Sequence, residues 1–219
     1  MKIKHPEIKS QKRKITNRGC RKVIYFYPSL INKTLVPCES GLEWDMLNLL
    51  ELDRASIQSY DSQPHMLTYY DGTKKRSYTP DFLVKHSATE IILEVKPIKK
   101  LPLHIKKLQA VEIAYAKLGK RFILLTDKYI RKQPRLDNAK LILRHARHKV
   151  SRISMKALVD HFKRSQGPQT IRTVKEQLAQ CNVQEADIFK LIYVGIIRFD
   201  PEESLNRDSV IWFSNNVDA

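Results

Sequence analysis

The stretch SYTPDFLVKHSATEIILEVKP, Ser77 to Pro97, constrains this chain more than any other. Two runs of β-forming residues, SYTPDFLV and EIILEV, flank the turn-like KHSAT, so the stretch reads as two strands of a hairpin. Strands joined by a short turn lie antiparallel, and positions on either side of the turn come face to face. Asp81 and Glu94, thirteen residues apart, thereby reach one point in space. Glu94 and Lys96 stand at i and i+2 and face the same side of their strand.

Two carboxylates that converge repel each other unless a cation lies between them. Oxygen ligands without cysteine or paired histidine suit Mg²⁺, with Mn²⁺ as a substitute. A lysine beside such an ion orients or deprotonates a water, or stabilises charge that develops on a phosphate. Each residue also has a plainer reading. Asp81 follows Pro80, and Pro-Asp is common in turns. Glu94 and Lys96 also suit the exposed face of an edge strand. Glu43 is a third candidate acid beside the apolar face of the first helix, but Ser40-Gly41-Leu42-Glu43 also matches the S-x-x-E capping box. Glu39 and Asp45 are weaker alternatives. His65, His86 and His104 lack ligand spacing and read as surface or structural residues. Gln63, before Pro64, reads either as a hydrogen-bonding group near the site or as a strand end.

Around this hairpin the chain reads as a mixed α/β domain. KVIYFYPS forms a short strand, and SGLEWDMLNLLEL a helix with Leu42, Met46, Leu49 and Leu50 on one face. SIQSYDSQP and MLTYYD alternate as strands, with Asp71-Gly72 as a turn. Leu103 to Leu118 forms a helix ended by Gly119, and RFILLTD a buried strand. Residues 129–149 are basic and helical, interrupted by Pro134. Helices follow at about 155–164, 170–181 and 184–194, then a hairpin in IIRFDPEESLNRDSVIWF. Three helices and a hairpin suggest a small winged-helix-like C-terminal domain. The expected organisation is a basic arm over 1–22, a core over 23–128, a basic helical connector over 129–153 and the small domain over 154–219.

The net charge of +17 is unevenly spread. Residues 1–22 and 98–150 hold the excess, residues 23–97 are slightly acidic, and residues 151–219 balance. Clustered cations suit phosphate neutralisation on nucleic acid. Lys12, Arg13 and Lys14 in the arm, and Lys99, Lys100, Lys106 and Lys107 after the hairpin, are the candidate DNA contacts; a solvated basic face is the plainer alternative. No apolar run is long enough to span a bilayer, and MKIKHPEIKSQKRK has no apolar segment behind its charge, so neither membrane insertion nor a secretory signal is expected. Three widely spaced cysteines give no disulfide framework or zinc spacing and suit a reducing cytoplasm.

The ordered series SGLEWDMLNLLE, YTPDFLV and EVKP, followed by a helix and FILLTD, resembles the TnsA endonuclease family of heteromeric bacterial cut-and-paste transposons. By motif the resemblance covers about residues 38–127, and beyond that the layout alone. It implies a restriction-endonuclease-like core of the PD-(D/E)xK superfamily. It carries Glu43, Asp81 and Lys96 over as the catalytic set, with Glu94 at a metal-ligand position and the Val95 backbone carbonyl also touching metal. It implies cutting of the 5′ (non-transferred) strands at transposon ends in bacterial, nucleoid-associated surroundings. The implied partners are double-stranded DNA, the DDE transposase TnsB and the AAA+ ATPase TnsC, the last docking on the C-terminal domain. A stand-alone repair or junction nuclease of the same fold, and a non-catalytic DNA-binding assembly module, share these residues as alternatives.

Overall fold

The computed structural model describes residues 5–9, 23–165 and 167–214, so Lys12, Arg13 and Lys14 lie outside the described residues. The chain divides into two compact units, at Arg131 and Lys132.

The first unit runs β1 (Glu7–Lys9), β2 (Tyr25–Pro28), β3 (Leu35–Cys38), α1 (Gly41–Leu52), β4 (Ile57–Ser62), β5 (Met66–Tyr70), β6 (Lys75–Tyr78), β7 (Phe82–His86), β8 (Glu90–Lys96), α2 (Leu101–Lys117), β9 (Arg121–Thr126) and α3 (Asp127–Ile130). Its main sheet has the order β4-β7-β8-β9. β4, β7 and β8 pair antiparallel, and β9 lies parallel to β8 after the α2 crossover. β8 is therefore an interior strand, which removes the reading of Glu94 and Lys96 as edge-strand decoration.

Alternation along β8 splits its side chains between two cores. Leu93 and Val95 face a cluster with α1 (Leu42, Met46, Leu47, Leu50) and with Tyr27 and Val36 of the β2–β3 ribbon. Ile92 faces the other way, into Leu67, Tyr69 and Tyr78 from β5 and β6 and Leu108, Val111, Ala114 and Tyr115 from α2. Each fully buried aliphatic side chain here contributes about 1.5–3 kcal/mol of transfer free energy. Glu94, two residues beyond Ile92, shares that second face.

Two findings differ from the sequence-based expectation. SYTPDFLV is not one strand: Lys75–Tyr78 joins β1 and β5 in a second, three-stranded sheet, whereas Phe82–His86 joins the main sheet. The break falls at Thr79-Pro80-Asp81 because proline cannot donate to a ladder. Part of the segment expected as an arm, Glu7–Lys9, forms an edge strand on β5 in register Glu7↔Thr68.

The second unit contains α4 (Arg135–Arg144), α5 (Arg152–Arg164), β10 (Gln169–Thr170), α6 (Ile171–Gln177), α7 (Glu185–Tyr193), β11 (Ile197–Phe199) and β12 (Val210–Phe213). The strands form one antiparallel sheet, β10-β12-β11. The helix expected at 170–181 ends at Gln177. A 3-10 turn follows over Ala179–Cys181, and Asn182 closes it in the left-handed region at φ 52°. Leu158, Ile171, Val174, Ile188, Leu191, Ile197 and Ile211 are buried. Asn138 of α4 pins the β11–β12 loop: its amide donates to the carbonyls of Pro201 and Glu203 and accepts from Leu205 N–H.

Candidate active site

The site forms where β7 stops and β8 continues. β7 pairs with β8 only as far as Phe82↔Leu93, so Glu94, Val95 and Lys96 extend past the end of their neighbour. Asp81, at the bend between the two sheets, takes up the freed valence. Its carboxylate accepts the Val95 N–H at 2.8 Å, and its carbonyl accepts the Gln63 N–H at 2.9 Å. A strand residue's N–H and C=O project to the same side, so the Val95 carbonyl also faces the edge where Asp81 lies.

Glu94 is 2% exposed. Its Oε1 pairs with the Lys96 ammonium at 2.8 Å, as the i, i+2 spacing predicts. Its Oε2 is buried without a hydrogen-bond partner. A buried carboxylate oxygen left open is costly and calls for a physical explanation. Asp81, Glu94 and Lys96 line one cleft of about 390 Å³ with Glu39, Gln63, Ser77, Tyr78, Thr79 and Lys107.

The electrostatics follow from this crowding. Burial, then the charges of Glu94 and Glu43, raise the Asp81 carboxyl well above its ordinary value; Lys96 and the Val95 N–H oppose the rise. For Lys96, burial acts to lower the pKa, but the attraction of Glu94, Asp81 and Glu43 outweighs it and the net shift is upward. The lysine is therefore held as a cation, suited to donating hydrogen bonds rather than to removing a proton. Burial, the Glu94 charge and the close approach of the Tyr78 hydroxyl to the Glu94 carboxylate raise the Tyr78 phenol too, which keeps it neutral; that approach falls outside hydrogen-bond geometry, so Glu94 Oε2 and Tyr78 Oη keep no hydrogen bond.

Glu43 performs the capping role. Its Oε1 accepts from Ser40 Oγ at 2.7 Å and its Oε2 from Glu39 N–H at 2.8 Å, while Ser40 Oγ accepts the Glu43 N–H. Such a cap contributes about 1 kcal/mol to the helix start. Burial raises the Glu43 pKa, and its charge still reaches Asp81 and Lys96. Among the described residues, however, no three Asp, Glu, His or Cys side chains group closely enough to hold an ion. Glu43 therefore stands beside the site with both oxygens engaged in the cap, and it acts on Asp81 and Lys96 through its charge.

The cleft acids, Asp81 and the open oxygen of Glu94, offer oxygen donors only. That chemistry fits a hard divalent cation such as Mg²⁺ or Mn²⁺ and suits a soft metal poorly.

The remaining expectations separate. Lys99 and Lys100 sit exposed on a 3-10 turn directly after β8. That turn is tethered by Ile98 N–H to Asp127 at 2.7 Å. Lys106 and Lys107 are exposed on the first half of α2. Lys107 lines the cleft, with its Nζ 4.8 Å from the centre of the Tyr78 ring. Asp45 pairs with Arg131 at 2.7 Å, away from the cleft lining. His65 contacts the Tyr115 hydroxyl at 2.9 Å and His86 the Ser56 carbonyl at 3.0 Å, both structural roles. Tyr78 was not singled out from the sequence. Its signal in the sequence was the single aromatic residue that ends the polar run Lys75-Arg76-Ser77, and it is the one buried position of β6.

Residues 54–127 match the protein family described as TnsA-like endonuclease, N terminal. The match takes in Gln63, Asp81, Glu94 and Lys96 and stops short of Glu43. No curated protein matches the chain.

Proposed function

We propose, with a TnsA-like endonuclease domain over residues 54–127 as the premise, that this protein is the divalent-metal-dependent DNA endonuclease of a transposition complex. The observation that carries the reading is the convergence of Asp81, the half-open Glu94 carboxylate and the Lys96 ammonium at the end of β8. Asp81, Glu94 and the Val95 carbonyl would hold the ion. A bound Mg²⁺ or Mn²⁺ supplies Lewis-acid charge at the phosphate and lowers the pKa of a water.

The chain's own groups do the rest. The Val95 N–H fixes the Asp81 carboxylate. Lys96, anchored on Glu94, presents its ammonium to the phosphate oxygen that gains charge. Glu43, fixed by the helix cap, adds negative field that keeps Lys96 protonated. Lys99, Lys100, Lys106 and Lys107 offer cations to the DNA backbone beside the cleft, and phosphate contacts of this kind position a duplex without reading its sequence. Lys12, Arg13 and Lys14 extend that basic set from the N-terminal segment.

The finer reading is a division of labour. This nuclease cuts the 5′, non-transferred strands at transposon ends, so that excision is cut-and-paste. A DDE transposase of the TnsB type cuts and joins the 3′ ends. The second unit, with helices packed around a small three-stranded sheet, is winged-helix-like, and the balanced charge of its residues 151–219 suits docking on a TnsC-type AAA+ ATPase better than independent DNA binding. The work takes place in the bacterial cytoplasm, at the nucleoid; no helix among the described residues is long and apolar enough to cross a membrane.

The test is the structure of transposition products made with the TnsB-type transposase and TnsC-type ATPase that this reading requires. Wild type is expected to give simple insertions and Asp81→Ala cointegrates, read by long-read sequencing. Identical products from both would overturn the strand assignment and the role of Asp81 together.

A further inference from the structure

Three buried side-chain polar atoms with no hydrogen-bond partner, Gln63 Oε1, Tyr78 Oη and Glu94 Oε2, belong to residues that line the same cleft. Gln63 is the unexpected member. It is 5% exposed, and its side-chain Oε1 is buried without a hydrogen-bond partner. Its backbone sits at φ 45°, a left-handed conformation that costs a non-glycine residue free energy. It is also tied to the acid beside it through its N–H on the Asp81 carbonyl. Strain and an unsatisfied amide at one residue, directly beside the convergent acids, mark a group held in place for a bound species.

The acceptor chemistry says which species. An amide oxygen carries partial negative charge, as do the oxygens of Glu94 and Asp81 that line the same cleft. A cation or its water shell complements such a set; a phosphate oxygen would be repelled by it. Two carboxylates alone also supply few ligands for an ion that takes six oxygens, and glutamine carbonyls are ordinary neutral donors to hard cations. We propose that the Gln63 side-chain oxygen is a further donor to the divalent ion held by Asp81 and Glu94. This inference rests on the metal-dependent reading above. On it, the left-handed backbone at Gln63 is kept for binding rather than for folding.

The experiment titrates Mn²⁺ into the full chain without DNA, counting free ion by its electron paramagnetic resonance signal, for wild type, Gln63→Leu, Gln63→Gly and Asp81→Asn. Melting is measured in parallel in metal-free buffer. Leucine removes the open polar atom at similar size, and glycine accepts the left-handed backbone. Both Gln63 variants are expected to melt at or above wild type and to bind Mn²⁺ about ten- to a hundredfold more weakly. Wild-type affinity in both, with Asp81→Asn defective, overturns the role of Gln63 and leaves the metal reading standing. Melting far below wild type in both also overturns it, since the amide is then a structural element. Wild-type affinity in Asp81→Asn removes the metal reading itself, and the inference with it.

Discussion

Glu51 and Glu94 are two carboxylates of the same unit, buried to 1% and 2% exposure, and they are treated in opposite ways. Glu51, near the end of α1, accepts from Ser29 Oγ, from the Tyr60 hydroxyl and from the backbone N–H groups of Leu30 and Ile31. Its charge is spread over four donors, and it clamps the turn after β2 to α1 and β4. Glu94 has one cation, Lys96, and an oxygen left open toward a cleft. Burial by itself therefore does not mark a functional acid. A buried charge whose hydrogen-bond valence is filled by the protein serves the fold, and one whose valence is kept open serves something that binds.

The widest separation between the two regions should appear in cleavage. Lys96→Ala and Asp81→Asn are each expected to lower the strand-cutting rate by about 10²–10³-fold, the usual cost of removing one preorganised charge from a reacting site. Asp81→Asn should melt at or above wild type, whereas Lys96→Ala, which leaves the buried Glu94 carboxylate without its cation, should melt lower yet still fold. Retained cutting by either folded variant would place these residues outside the chemistry. Glu51→Ala is the converse. It strands the Tyr60 hydroxyl and two backbone donors in the interior and should cost about 3 kcal/mol in urea unfolding, while the folded protein cuts at the wild-type rate. A large loss of cutting at full occupancy of the folded state would erase the distinction drawn here.

A third effect sharpens the comparison through pH. Burial, then the charges of Glu94 and Glu43, raise the folded-state pKa of Asp81 above its unfolded value. Below the unfolded value the acid is protonated in both states and stability is full. As pH rises from there through the raised value, ionising the folded acid costs more than ionising the unfolded one, and stability declines. In metal-free buffer, wild type should lose stability across that window, and Asp81→Asn should lose less. Parallel curves for the two proteins would show that Asp81 ionises without penalty. The smallest effect belongs to the exposed lysines. Lys99→Ala and Lys100→Ala should each weaken DNA binding and reduce the slope of log affinity against log salt by about 1. Unchanged slopes would count Lys99 and Lys100 as a solvated face.

Much of the first unit was legible because its signals are local. The alternating runs, the Asp71-Gly72 turn, the glycine after α2 and the Ser40–Glu43 cap each depend on residues a few positions apart, and each forms where those residues stand. The i, i+2 relation of Glu94 and Lys96 is equally local, and it became the 2.8 Å ion pair. Glu43 shows the limit of such reading. The sequence held both a capping and a catalytic role open; the fold engages both oxygens in the cap while its charge still acts on Asp81.

The sequence by itself determined the main helices, the strand pair that brings Asp81 toward Glu94, and the oxygen-rich character of the donors. Tertiary structure alone decided that Pro80 and Asp81 divide two sheets, that β8 is an interior strand with β9 parallel beside it, and that Glu51 is filled while Glu94 stays open. It also decided that Gln63 turns left-handed with its amide oxygen unpaired. The reason is the range of the forces involved. Turn, cap and alternation preferences act over a few residues, whereas strand pairing and the satisfaction of buried polar atoms depend on groups such as Glu51 and Ser29, or Gln63 and Asp81, that meet only once the chain has folded.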